Sequence, residues 1–187
     1  MDSTFLPEGY RLTSKNDSIY RIDTSIHYQS VDEKRLFKKD AIYVKNIKCK
    51  SILRVATCQL EDSQPQIVLQ IKNHKCLSQV LKLQSLTPEN IFIILYGIAQ
   101  GLNYLHQREF YHGNLSLNSI IVEMDKKMYY PYIIDFELPE GHSTFFHRKP
   151  YDPNDFKNSD IYKFFVLAYQ ILTQSTEAIE DIDFVQV

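Results

Sequence analysis

The chain has 187 residues, 44% of them hydrophobic and 24% charged, the make-up of an ordinary globular chain with room for one sizeable core. A formal net charge of -2 argues against broad electrostatic capture of nucleic acid or of an anionic membrane, and the basic run EKRLFKKD is bracketed by acids, as on a solvated helix face. The three cysteines, Cys49, Cys58 and Cys76, have no C-x-x-C spacing, the N-terminal MDSTFLPEGY has neither a basic nor an apolar leader region, and no apolar run reaches a bilayer span, so a cytoplasmic chain without a membrane anchor is expected.

Residues 1 to 30 hold short β-leaning pieces, YRL and SIYRI, separated by Ser, Asn, Asp and Lys, which predicts small strands joined by turns. Residues 32 to 48 place Leu36, Phe37, Asp40, Ile42, Val44 and Ile47 in a helical rhythm and predict one amphipathic helix. Two β-rich runs follow, SILRVATCQL and PQIVLQI, split by the turn-forming EDSQ. Thr87 before Pro88 is a helix-start signal, and Ile91, Ile94, Leu95, Ile98, Leu102 and Leu105 then recur at helical spacing, predicting a helix over 88 to 107. After the loop YHGNLSLNS come SIIVE, the turn MDKKM and PYIIDFE, read as two strands of a hairpin, and a last helix over about 160 to 173. There is no internal repeat, low-complexity tract or linker.

In this order the stretch GIAQGLNYLHQREFYHGNLSLNSIIVEMDKKMYYPYIIDFE resembles the protein-kinase segment running from the long helix of the C-terminal lobe, through the catalytic loop, to the metal-binding motif. KNSDIYKFFVLAYQILT is similar to the family's later helix that opens Asp-x-Tyr/Trp, and YPYIIDFE is similar to the tyrosine-kinase-like pattern YPKICDFG. Upstream, FKKDAIYVKNIKCKSILRV resembles helix αC and the strand after it, and QIVLQIKNHKCLSQVL the hinge and the helix beyond. The resemblance covers about residues 50 to 140 most strongly. It implies one α+β domain over 1 to 187 with the two-lobed kinase-like fold: a reduced sheet plus helix αC over 1 to 70, and a mainly helical, truncated C-terminal lobe over 71 to 187 that ends after the αF-like helix.

Against the family pattern H-R-D-L-x-x-x-N, where Asp receives the substrate hydroxyl proton and Asn holds magnesium, this chain reads His112, Gly113, Asn114, Leu115, Ser116, Leu117, Asn118, Ser119. Asn114 stands at the catalytic-base position, but its amide is neutral and has no useful basicity near pH 7. His112 matches a structural position. Ser119 offers one hydroxyl on a short stem in place of an amide carbonyl, a degenerate ligand. The Asp-Phe-Gly motif becomes Asp135, Phe136, Glu137, which keeps one carboxylate as a magnesium candidate and puts an anion where glycine allows unusual torsions. No G-x-G-x-x-G exists, since Gly9 is the only glycine before Gly97. The nearest stand-in for the phosphate-gripping lysine is Arg21, paired by position with Asp40. By resemblance, the family's hydrophobic spine keeps suitable residues at Val44, His112 and Phe136, anchored by Asp160.

The bland reading stands beside each of these: a histidine before a strand is usually a packed core residue, and an Asp before Phe usually a turn. Their joint occurrence at family spacing carries the resemblance. His74 with Cys76, and His142 with His147, lack further ligands at metal-site spacing. Ser143 and Thr144 have no visible arginine cluster to read a phosphate and are taken as solvent residues. Three functions remain open: a pseudokinase-like binding or scaffolding module with phosphotransfer absent or very weak, an unusual active or ATP-binding kinase, and a fragment without function. No cofactor is required by the first; ATP with magnesium would bind weakly, with adenine against residues 70 to 75. The helix over 160 to 173 is apolar almost all round, leaving Lys163, Gln170 and two tyrosines for water. A truncated lobe would leave part of it bare, so a protein partner or self-association through this helix is expected, without nucleic-acid or membrane contact.

Overall fold

The computed structural model describes residues 10–12, 19–23, 42, 45–59, 66–70, 74–134 and 159–177. Four short strands, β1 (Tyr10–Leu12), β2 (Ile19–Asp23), β3 (Val55–Gln59) and β4 (Gln66–Gln70), form an antiparallel sheet in the order β1-β2-β4-β3. Arg21 lies in β2, opposite Arg11 on one side and Val68 on the other. A bulge between Val55 and Thr57 shifts the β3 register. A second sheet joins β5 (His74–Cys76), β6 (Ile120–Asp125) and β7 (Met128–Ile133), also antiparallel, in the order β5-β6-β7. Three helices complete the described elements: α1 (Leu77–Leu83), α2 (Pro88–His106) and α3 (Asp160–Thr173).

The helix boundaries follow from capping chemistry. Thr87 Oγ1 accepts the N–H of Asn90 at 3.3 Å, and Pro88 opens α2 where its missing donor costs nothing. Ser159 Oγ accepts the N–H of Tyr162 at 3.2 Å and starts α3. That helix ends at Gln174, in the left-handed region at φ 55. The Gln174 side chain clasps Leu86 in the loop before α2, accepting from its N–H at 2.8 Å and donating to its carbonyl at 3.3 Å.

The core lies between α2 and the second sheet. Ile94, Ile98, Leu102 and Leu105 form the inward stripe of α2 and meet Ile120, Ile121, Val122 and Ile133, with Leu77 and Val80 of α1 and Leu167 and Ile171 of α3 closing the cluster. Gly97 and Gly101, one turn apart, let β7 approach the helix backbone. A Cβ on Gly97 would sit 2.5 Å from Pro131 Cγ, and one on Gly101 would sit 2.6 Å from Ile133 Cδ1.

Pro131 is tolerated inside β7 for a topological reason. β7 is the edge of its sheet, and the Ile133 N–H points away from β6 to the carbonyl of Ser51 at 2.8 Å. Two residues earlier the backbone nitrogen faces the same way, so proline removes no ladder bond to β6. Leu53 N–H donates back to Ile133 at 3.1 Å, so residues 51 to 53 stitch the chain entering the first sheet onto the edge of the second.

Two expectations need correction. Of the helix predicted over 32 to 48, residues 42 and 45 are helical, but the chain leaves the helix at Asn46. There the Asn46 amide donates to the carbonyl of Ile42 at 2.9 Å and the Lys48 N–H turns to the Tyr104 hydroxyl at 3.2 Å. Ile42 is exposed, and Ile47 reaches the core from beyond the helix end, so their helical rhythm did not mark one buried face. The hairpin turn is tighter than MDKKM: the strands pair through Asp125 and Met128, leaving Lys126 and Lys127 as a two-residue turn with Lys126 at φ 55. The rest of the 32 to 48 segment, with Asp40 and Val44, lies outside the described residues.

Valine at position 97 is expected to lower stability by about 1–3 kcal/mol, because a branched side chain has to displace the stiff ring of Pro131. Urea titration of Gly97→Val should show a reduced midpoint with an unchanged slope. Asn103→Val, on the exposed face of the same helix, should stay within about 0.5 kcal/mol of the parent.

Candidate functional site

The segment from Phe110 to Ser119 crosses between α2 and β6 and is pinned by three buried apolar side chains, Phe110, Leu115 and Leu117. At the end of α2, Glu109 takes φ 60 and the Phe110 N–H closes back on Leu105 at 3.1 Å, turning the chain into the loop. His112 is fully buried, and its Nδ1 accepts the Asn114 N–H at 3.3 Å. Gly113 takes φ 71, a conformation that strains any residue with a Cβ.

Asp160, in the first turn of α3 and only 1% exposed, organises this segment. Its Oδ2 accepts the His112 N–H at 2.7 Å, its Oδ1 accepts the Gly113 N–H at 2.9 Å, and His106 Nε2 lies 2.8 Å from Oδ2. Burial pushes the carboxyl pKa up, but the hydrogen bond with His106, the His112 and Gly113 amides and the charge interaction with His112 outweigh it and hold it below its ordinary value of 3.8. One helical step on, Lys163 Nζ donates to the Gly113 carbonyl at 2.6 Å, so α3 grips this peptide from both its donor and acceptor sides.

The polar residues left in the loop are turned to its own support. Ser119 is buried; its hydroxyl accepts from Ser116 N–H at 2.9 Å and donates to the Ser116 carbonyl at 3.0 Å. Asn118 is exposed, and its Oδ1 receives the Ser78 hydroxyl from α1 at 2.6 Å. Asn114 is exposed at the tip, and residues 111 to 119 contain no carboxylate at all. The Ile134 N–H donates to the Ser119 carbonyl at 3.0 Å, which fixes the chain at the point where it runs on to Asp135. Asp135, Phe136 and Glu137 lie outside the described residues, as do His142, His147, Ser143, Thr144 and the side chain of Arg21.

Three participants were not anticipated. Lys163 and Tyr162 were expected to face water, but Lys163 reaches the loop and Tyr162 is buried, because the N-terminal turn of α3 packs under the catalytic-type loop. His106 carried no sequence signal, since its partner lies 54 positions away. Lys163 had a weak one: at i+3 from Asp160 it shares that residue's helix face. His74 and Cys76 sit in β5, where burial pushes the Cys76 thiol up to about 11, so the thiolate needed for metal or nucleophilic chemistry is scarce near neutral pH. Among the described residues no three His, Cys, Asp or Glu groups are disposed to hold a metal ion, and no helix is long and apolar enough to cross a membrane.

A carboxylate whose pKa is depressed on folding adds stability above its unfolded pKa, and that stability is lost as pH falls through the folded value. Asp160→Asn keeps the shape, removes the charge and is expected to cost about 1.5–3 kcal/mol at neutral pH, the range for hydrogen bonds to a charged group. In denaturant titrations the gap between parent and variant should close as pH drops below the usual carboxylate range.

The fold and loop have counterparts among known proteins. A family model described as protein tyrosine and serine/threonine kinase matches residues 13–145. The serine/threonine-protein kinase dst4 of Dictyostelium discoideum is 27% identical over 94 residues, which is 49% of this chain and 19% of that protein. A crystal structure of a double mutant of the Mycobacterium tuberculosis PknI kinase domain superposes with a TM-score of 0.60 at 13% identity, covering 86% of this chain and 64% of that one. The chain thus spans about a fifth of the curated relative and just under two thirds of the solved domain. With that family match laid over a loop anchored on Asp160, the chain belongs to the protein tyrosine and serine/threonine kinase family.

Proposed function

We propose that this chain is a pseudokinase-like binding module in which phosphotransfer is absent or very slow. The observation that carries the reading is Asn114: the loop presents an exposed neutral amide where the family pattern places a proton acceptor. Buried His112 cannot substitute, because it is enclosed beneath the loop. Ser119, whose hydroxyl is spent on Ser116, removes a second ligand, and the lack of glycines before position 97 other than Gly9 removes the phosphate cradle. Losing the general base alone lowers the rate about a hundred- to ten-thousand-fold. Nucleotide binding on this reading is weak and gains little from phosphates, so adenosine binds about as well as ATP with magnesium.

The partner-binding surface in this proposal is α3. Ile161, Phe165, Tyr169 and Leu172, spaced four, four and three apart, form one exposed stripe, each 51–61% exposed. Covering the exposed half or so of four such side chains gains roughly 3–6 kcal/mol, taking about 1.5–3 kcal/mol for each full burial. Association itself costs about 4–15 kcal/mol, so the stripe serves as the centre of a larger interface.

Incubated with labelled ATP, magnesium or manganese and a generic protein substrate, the chain should transfer no phosphate above background. Robust turnover that disappears in Asp135→Ala contradicts the proposal. Light scattering across a concentration series should show mass rising with concentration, or dye binding to apolar surface that a partner suppresses, and Phe165→Glu should weaken both. A parent protein that stays monomeric and binds no dye removes α3 as the interface.

A further inference from the structure

Away from both the loop and the α3 stripe, an open cavity of about 800 Å³ lies between residues 45 to 54, the outer face of α2 and β7. Its size is at the upper end of the roughly 300–1,000 Å³ typical of ligand pockets. Lys45, Lys48, Lys50 and Arg54 line it, all four exposed, and among the described residues no carboxylate lines it. None of the four forms an ion pair with a described carboxylate. In a chain of net charge -2 this is a local concentration of positive charge. The opposite wall is aromatic: Tyr96 and Tyr130 are about half exposed, and Phe92 stacks on Tyr96 with centroids 5.9 Å apart and planes 8° from parallel. Ile93 and Pro131 complete an apolar wall against which a side chain could be desolvated.

The backbone here is held from several sides. The Lys48 N–H is bonded to the Tyr104 hydroxyl, Ser51 and Leu53 are stitched to Ile133, and Gly97 packs against Pro131. A groove with fixed walls, cations on one and aromatic rings on the other, is preorganised to receive a ligand carrying carboxylates beside an apolar anchor.

We infer that this groove binds an acidic linear peptide segment of a partner protein, with an aromatic or aliphatic side chain seated against Tyr96, Ile93 and Pro131 and flanking carboxylates paired with Lys45, Lys48, Lys50 and Arg54. Single-stranded nucleic acid is the less fitting occupant, because Tyr96 is already stacked with Phe92 and so offers less free ring surface to a base. The inference does not depend on whether the catalytic-type loop is silent.

Fluorescence anisotropy with the full chain tests it, using as probe the fluorescein-labelled peptide Glu-Asp-Phe-Glu-Asp-Leu. Saturable binding that weakens with added salt is expected, with at least a tenfold loss in the double variant Lys48→Glu, Lys50→Glu and a comparable loss when the probe's acids are replaced by their amides. Those lysines are exposed, so the variant's melting temperature should match the parent's, while Phe165→Glu on the α3 stripe should leave peptide binding unchanged. The inference is overturned by an absence of saturable binding, by affinity indifferent to the lysine reversals, or by equal competition from oligo-glutamate or oligo-thymidylate, which would mean general anion capture. It is also overturned if binding appears only after residues 178–187, which include Glu180, Asp181, Asp183 and Phe184, are removed, since that acidic stretch would then be the occupant.

Discussion

A single buried carboxylate carries the arrangement of this domain. Asp160 ties together the last residue of α2, two successive amides of the catalytic-type loop and the first turn of α3. A charge taken out of water is stable only if donors replace the lost hydration, and here three do, with the N-terminal end of α3 adding a favourable field. The loop's path is therefore set by the backbone amides of His112 and Gly113, which do not depend on which side chain stands at 114. Physically, the path of such a loop and any chemistry it offers are set by different atoms: the path by buried backbone amides, the chemistry by the side chain exposed at Asn114.

Glycine at 113 extends that separation. Where the family pattern has an arginine, this chain has a residue for which φ 71 is unstrained, and Lys163 of α3 donates to its carbonyl. Ser119 is likewise committed within the loop, its hydroxyl accepting from the Ser116 N–H and donating to the Ser116 carbonyl.

The second structural constraint is the close packing of α2 on β7. Gly97 and Gly101 bring helix and strand together, Pro131 fits because its nitrogen faces away from β6, and the outward groups of β7 are then available to residues 51 to 53. One contact thus positions the core, the chain entering the first sheet and the wall of the basic, aromatic-faced groove. The apolar stripe of α3 lies on a different surface, so core packing and the two candidate interaction faces make separate demands on the sequence.

The sequence by itself determined the elements whose energies are local. Thr87 with Pro88 and the 3.6-residue recurrence through Leu105 located α2 to within a residue at its end, and the apolar run after Ser159 located α3. The spacing from His112 through Asp160 also made the kinase-like fold legible, because several weak signals fell in one order. What the helix over 160 to 173 did with its side chains was not legible: its few polar positions, such as Lys163 and Gln170, are half-buried and do not mark its exposed side. Only the neighbours packed against it decided that Tyr162 would be buried, that Lys163 would turn to Gly113, and that Ile161, Phe165, Tyr169 and Leu172 would share the exposed side. The pairing of His106 with Asp160 and the gathering of Lys45, Lys48, Lys50 and Arg54 opposite Tyr96 and Tyr130 were likewise tertiary outcomes. Groups far apart along the chain acquire an interaction energy only once the fold has brought them within a few ångströms of each other.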